Sequence, residues 1–265
     1  ALFGHISFAL CNAVRSLLFA LSSGRIVYVP TEEPTRRYYQ LLTRYSTSFA
    51  IAADISMLTL GGGLKRSEKL SARLGDVLSQ LYLCSAVLKK FEDDGRPVED
   101  LALLEWAMQD GLYRIQNAFD GVLQNFPNRY AALLLRALIF PLGQWRKPAS
   151  DALGHEVAAL LSTPGEARDR LTAGSYIPGD ESQAIGALEA ALASTLQCEP
   201  LQAELAKARK DGKLKALDEL GQIAEAKQAG LIDAEQAARL ERDYALRRKV
   251  IMVDDFAPEQ LRAGH

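Results

Sequence analysis

Cysteine and histidine are scarce, three of each in 265 residues. Cys11, Cys84 and Cys198 stand far apart among apolar neighbours, the pattern of reduced, buried thiols rather than of a disulfide framework. His5, His155 and His265 share no metal-ligand spacing with one another or with a cysteine, which excludes a zinc site. The Glu-x-x-His pair of a dimetal helix bundle is missing as well. Net charge is small, −2 with a pI near 6.0, so no nucleic-acid partner is expected. Patterns that read as strands are few. The apolar stretch from Ile6 to Ser22 is interrupted by Asn12 and Arg15, and it lacks the basic leader and small-residue cleavage site of a signal peptide; neither a spanning helix nor a signal peptide is expected.

Amphipathic helical runs fill this space. With 48% hydrophobic and 24% charged residues, the chain reads as globular and long enough for one large or two ordinary domains. It opens at Ala1, already within a helical pattern, so a piece of a longer protein is expected. A first helix is predicted over Leu2 to about Leu21. A second follows Thr31-Glu-Glu-Pro34, with Tyr38, Leu41, Leu42, Tyr45, Phe49 and Ala52 on its apolar face. Gly61–Gly63 ends it, and Ser67 is the expected cap of a third. There Leu70, Leu74, Val77, Leu81, Cys84, Leu88 and Phe91 recur at steps of four and three, the seam of a helix packed lengthwise on others. The fourth repeats this with Leu104, Met108, Leu112, Ile115, Phe119, Val122 and Phe126. Beyond Asn125–Asn128 come a helix from Tyr130 to Phe140, short helices near 151–162 and 165–172, and longer ones near 181–197, 200–229 (with a break at Asp211-Gly212 as an option) and 234–250. The predicted fold is all-α: a four-helix-bundle-like unit over 1–126, then a further helical subdomain over 127–265 with an extended tail at Val253–Pro258.

Chemistry-bearing constellations are sparse. Gly61-Gly62-Gly63-Leu64-Lys65-Arg66 follows a helix, not a strand, and lacks the order of a Walker or dinucleotide loop; a sharp interhelical turn is expected. Lys65, Arg66 and Lys69 beside a helix start are the candidate anion contacts. The carboxylate clusters Glu32–Glu33, Glu92–Asp94 and Asp254–Asp255 read as solvated turns. Asp76, near the apolar seam, reads as one half of a salt bridge to an arginine on a neighbouring helix. No nucleophile elbow occurs. Asn128 to Lys147 sets Arg129, Tyr130, Arg136, Trp145, Arg146 and Lys147 around an apolar core. Such a mixture suits a segment at a membrane surface, and equally a buried helix with a basic edge. The membrane reading requires Leu133, Leu134, Leu138 and Ile139 to face outward together.

Five blocks in order carry a resemblance: Arg36-Arg-Tyr-Tyr-Gln40, Asp54-Ile-Ser-Met57, Leu60–Phe91, Leu123-Gln-Asn-Phe-Pro-Asn128 and Val253-Asp-Asp-Phe256. In these the chain resembles the C-terminal extension of the large bacterial-type acyl-CoA dehydrogenases, flavoenzymes of fatty-acid β-oxidation. More distantly, Arg73-Leu-Gly-Asp76 and Leu81-Tyr82 are similar to the extra helical domain of mitochondrial very-long-chain acyl-CoA dehydrogenases. The resemblance implies a parent oxidoreductase that binds FAD and takes an α-proton with a glutamate of a Glu-Gly motif. No Glu-Gly occurs in this sequence, and Leu58 or Thr59 stands where a flavin-contacting glutamine would precede the glycines. No catalytic residue, flavin contact or metal ligand is therefore carried over, and this segment is expected to be inactive alone. By analogy the segment stabilises the enzyme or its homodimer through contact with the catalytic domain; the alternative is docking to a membrane or partner. A cytoplasmic location is expected, with association to the inner face of the cell membrane under the second reading.

Overall fold

A computed structural model describes residues 2–252, with side chains from Ser7 onward. Among these residues the fold is all-α, without strands. The helices are α1 (Leu2–Leu21), α2 (Thr35–Leu60), α3 (Glu68–Asp93), α4 (Leu101–Gln124), α5 (Arg129–Ile139), α6 (Asp151–Ser162), α7 (Glu166–Thr172), α8 (Ala184–Lys210), α9 (Glu219–Gln228) and α10 (Ala234–Ile251). They divide into two compact units, with the boundary between Leu171 and Thr172. The sequence reading drew its line after 126, between α4 and α5. Yet α5 packs on α1, α2 and α4, and its buried face joins their core, so it belongs with the bundle.

In the first unit, successive helices run antiparallel, as their pairings show. Ser16 meets Ser48 and Gly24 meets Gln40 across α1 and α2; Gly111 meets Cys84 and Gly121 meets Arg73 across α3 and α4. Every residue of the two predicted stripes on α3 and α4 is buried. A Cβ on Gly111 would stand 2.3 Å from Cys84 Sγ, so a hydrogen at this position lets the two helices close. Through the centre Tyr45 stacks on Phe119, with ring centroids 6.1 Å apart, and Phe140 meets Phe119 edge to face at 6.2 Å. Burial pushes the Cys84 thiol up to about 11, leaving it an inert packing group.

Turn chemistry differs from expectation in one place. Gly61, at φ +49°, ends α2 as expected, and Gly61–Arg66 coils into a 3₁₀ turn. Ser67 occupies the cap position of α3, but its hydroxyl donates backwards to Gly63 O at 3.1 Å instead of accepting from the new helix. The tight turn brings that carbonyl closer than the N–H groups ahead. By length and composition alone, Thr35–Arg66 would suffice to cross a membrane; here α2 packs on α1, α3 and α5.

The second unit gathers α8, α9 and α10 around Cys198, Leu205, Leu214, Ile223, Ile232 and Leu240. The sequence placed helix breaks before Pro200 and, more weakly, at Asp211-Gly212. The structure reverses that weighting. α8 runs through Pro200 and ends at Asp211, with Gly212 at φ +75°. An internal proline costs a helix roughly 3 kcal/mol, and buried Cys198 and Leu205 on either side hold both halves on one axis. At the unit's centre lies Asp243, fully buried. Thr195 Oγ1 donates to it at 3.0 Å, Gln202 Nε2 at 2.8 Å and Arg247 Nε at 2.8 Å.

Two stability measurements check this packing. Leu81→Ala, which empties the middle of the α3 seam, should cost about 2–5 kcal/mol in urea unfolding; a cost below about 1 kcal/mol would mean the seam is misplaced. Asp243→Ala removes the shared acceptor of three part-buried donors and should cost the second unit about 1–3 kcal/mol. Hydrogen exchange should show lost protection over 184–251, with α3 and α4 unchanged.

Candidate functional site

Chemistry-bearing side chains concentrate where the segment after α5 folds back over α4. Asn128 starts α5 by accepting from the Tyr130 and Ala131 N–H groups at 3.0 and 3.1 Å. At the other end two carbonyls would be left without helical partners. Ser16 Oγ donates to Leu138 O and Arg44 NH2 to Ile139 O, each at 3.2 Å. These two bonds explain why α1 and α2 carry polar residues inside the bundle.

Beyond α5 the chain continues as a strap over 143–150. Buried Gln116 on α4 holds it with both ends of one amide: Nε2 donates to Arg146 O at 3.1 Å and Oε1 accepts from Arg146 N at 2.9 Å. Asp120, one turn further along α4, accepts from Gln144 Nε2 at 2.8 Å and Arg136 NH2 at 3.2 Å. The strap thus forms one wall of a cavity of about 490 Å³, facing the start of α2 and the middle of α4. Its polar lining is Arg37, Tyr38, Gln109, Arg146 and Lys147 with Glu33, and Trp145 stands at its edge.

Electrostatics in this cavity are one-sided. Arg37 gives its donors to neutral acceptors, Gln40 Oε1 and Ser23 Oγ. Burial, then the positive charges of Arg146, Arg25 and Arg44, pull its proton affinity below the ordinary arginine value. Arg44 is nearly buried, lies 4.9 Å from the centre of the Tyr45 ring, and is lowered by burial in the same way. Its Nε has no hydrogen-bond partner among the described residues. Tyr38 is pushed up to about 12 by burial and then by Glu105, so at neutral pH its phenol keeps a proton to donate.

The sequence-predicted site residues fall in three places. Trp145, Arg146 and Lys147 meet at the cavity. Arg129 and Tyr130 lie exposed at the start of α5, and Arg136 is spent on Asp120. Lys65, Arg66 and Lys69 are all exposed around the 3₁₀ turn, away from the cavity lining. The membrane reading required four outward residues on α5. Leu133 and Leu134 are exposed, but Leu138 and Ile139 are buried, because they fill the space beneath Ser16 and Arg44. Asp76 is exposed and forms no ion pair among the described residues. Cys11, expected inside, is exposed. His5, His265 and the Val253–Pro258 tail lie outside the residues whose side chains are described. Sequence reasoning missed Arg37, Tyr38 and Gln116, since their meeting depends on chain reversal over about 30 residues or more.

A Cβ added at Gly61, Gly62 or Gly63 would meet nothing within 4 Å, so the run is an open turn and not a close approach of two backbones. Thr59, near the position of the missing glutamine, turns its hydroxyl to Ile55 O. No cluster of three or more His, Cys, Asp or Glu able to hold a metal occurs among the described residues. No solved structure matches the chain. Residues 1–256 match the family described as acyl-CoA dehydrogenase, C-terminal, bacterial type. All-α architecture, both buried stripes and a match over nearly the whole length agree, and the chain belongs to the bacterial-type acyl-CoA dehydrogenase C-terminal family.

Proposed function

We propose that this chain is the non-catalytic helical part of an FAD-dependent acyl-CoA dehydrogenase of fatty-acid oxidation, and that it stabilises the enzyme by seating against the catalytic portion through α1. A band of apolar residues that α1 turns outward, beside exposed Arg15, carries this reading. Asn12, Ser16 and Ala20, at spacings of four, form its buried stripe. Phe8, Leu10, Val14, Leu18 and Leu21 point outward, with Phe8 59% and Leu10 66% exposed. A surface helix that folds alone turns its apolar residues in and its polar residues out. Here the small polar stripe permits close approach to α2 and α5, while the large apolar face awaits a second partner. Each such side chain contributes roughly 1.5–3 kcal/mol when buried. The family's description as the C-terminal part of a dehydrogenase supplies the partner: the remainder of the same enzyme.

A second reading, peripheral docking at the inner face of the cell membrane, is favoured by a separate observation. Tyr130, Leu133, Leu134, Leu142 and Trp145 are all exposed, and Arg129 and Lys147 flank them. Aromatic, aliphatic and basic side chains in one short segment suit the headgroup boundary of an anionic bilayer.

Titrating the purified 265-residue chain into the separately purified catalytic portion tests the first reading. Wild type should bind, and Leu10→Asp/Leu18→Asp should bind at least about tenfold more weakly with unchanged helical circular dichroism. Equal binding by both would remove α1 from the contact; a wild-type dimer that the same variant breaks would assign this face to a second copy instead. For the second reading, cosedimentation with phosphatidylglycerol-containing vesicles should fall about tenfold in Leu133→Ser/Leu134→Ser and should weaken with salt. Sedimentation that is negligible for wild type and variant alike would dispose of membrane docking.

A further inference from the structure

Several arginines sit on carboxylates: Arg114 on Asp110, Arg170 on Asp100, Arg247 on Asp243. Those at the strap cavity do not. Arg37 and Arg44 donate to neutral oxygens, and neither Arg146 nor Lys147 forms an ion pair among the described residues. The lining holds Arg37, Arg146 and Lys147 against the single carboxylate of Glu33, a surplus of two positive charges. Like charges drawn together without a counterion repel one another. Arg37 is lowered first by burial and then by the positive charges of Arg146, Arg25 and Arg44, with Glu33 opposing them. Arg44 does not line the cavity, but its buried positive charge lies close enough to bear on Arg37.

We infer that this cavity binds a phosphoryl group, clasped between Arg37 on α2 and Arg146 and Lys147 on the strap. The charge fits: a phosphate monoester carries about −1.5 to −2 at pH 7, which matches the surplus of two. The donors fit as well, because guanidinium forks address phosphate oxygens in pairs and lysine supplies a point charge. Tyr38, protonated at neutral pH, offers a neutral donor on the same wall. Trp145 at the edge presents an aromatic face to whatever the phosphate is attached to. Two sources share this chemistry: a soluble phosphate ester, and the phosphomonoester headgroup of a lipid. The site depends on Arg37 and Arg146 rather than on α1 or on the leucines of α5, so it stands or falls separately from the two readings above.

Trp145 makes the test direct, with Trp106 as the other tryptophan and Trp145→Phe as the control that removes the signal. Inorganic phosphate should change wild-type emission saturably. Arg37→Gln and Arg146→Gln should each raise half-saturation by about tenfold, the worth of one charge-assisted hydrogen bond. Lys65→Gln/Arg66→Gln, at the remote 3₁₀ turn, should leave it unchanged. Because the strap is tied through the Arg146 backbone, Arg146→Gln keeps the Gln116 bonds and should keep the fold, as circular dichroism will show. Vesicles of phosphatidylcholine with phosphatidic acid, set beside phosphatidylcholine alone, separate the sources. Competition with phosphate by the acidic vesicles assigns the site to lipid headgroups; phosphate binding without competition assigns it to a soluble ester. No saturable change, or an equal loss in the Lys65→Gln/Arg66→Gln chain, would overturn the inference. Vesicle binding that survives Arg37→Gln/Arg146→Gln but not Leu133→Ser/Leu134→Ser would uphold membrane docking while giving this site no share in it.

Discussion

The missing side chain at residue 111 sets the geometry of the first unit. Because Gly111 leaves room for Cys84 Sγ, α3 and α4 close on each other and their two stripes join one core. Any larger residue would force the helices apart, and methylene-sized gaps in a close-packed core are costly. With α4 fixed, its other faces become a bench. Phe119 carries the aromatic stack, Gln116 the strap, and Asp120 both Arg136 and Gln144. Gly121 does a smaller version of the same service, since a Cβ there would stand only 3.0 Å from Arg73 Cδ and Nε.

What the sequence makes legible here is what period alone can carry. The stripes on α3 and α4 were readable residue by residue, since steps of three and four kept up over seven positions trace one face of a helix and fit no strand. Helix ends at Gly61 and Asp211-Gly212 were readable because glycine at positive φ has a local cause. The resemblance blocks named the family on grounds that periodicity does not supply, and the match over 1–256 bears them out.

The misses share one physical origin: each was decided by a distant partner. Pro200 stays within α8 because Cys198 and Leu205 pack on both sides of it. Ser67 turns backward to a carbonyl that the 3₁₀ turn brings near. Asp243, in a run that looks like solvated helix surface, is buried because Thr195 and Gln202 arrive from α8. α1 is the clearest case. Asn12 looks like an interruption of an apolar run, yet it faces the core with Ser16, which donates to Leu138 O at the end of α5, while Arg15 stays exposed. Polarity in that helix reports which neighbour each side meets rather than which side is wet. The cavity beneath the strap was invisible for the same reason, for Arg37 and Arg146 stand more than a hundred residues apart.

One consequence of the Gln116 clamp concerns time rather than shape. A single amide holds the strap's backbone in both directions, whereas the bundle beneath is held by dozens of buried contacts. The strap can therefore lift while α4 remains folded, a local opening far smaller in free energy than global unfolding. Access to the space beneath it is then governed by the lifetime of these two hydrogen bonds and of the one from Gln144 to Asp120. The Arg146 amide proton, sequestered by Gln116 Oε1 when the strap is down, becomes a natural clock for that gate, since its exchange with solvent counts each opening.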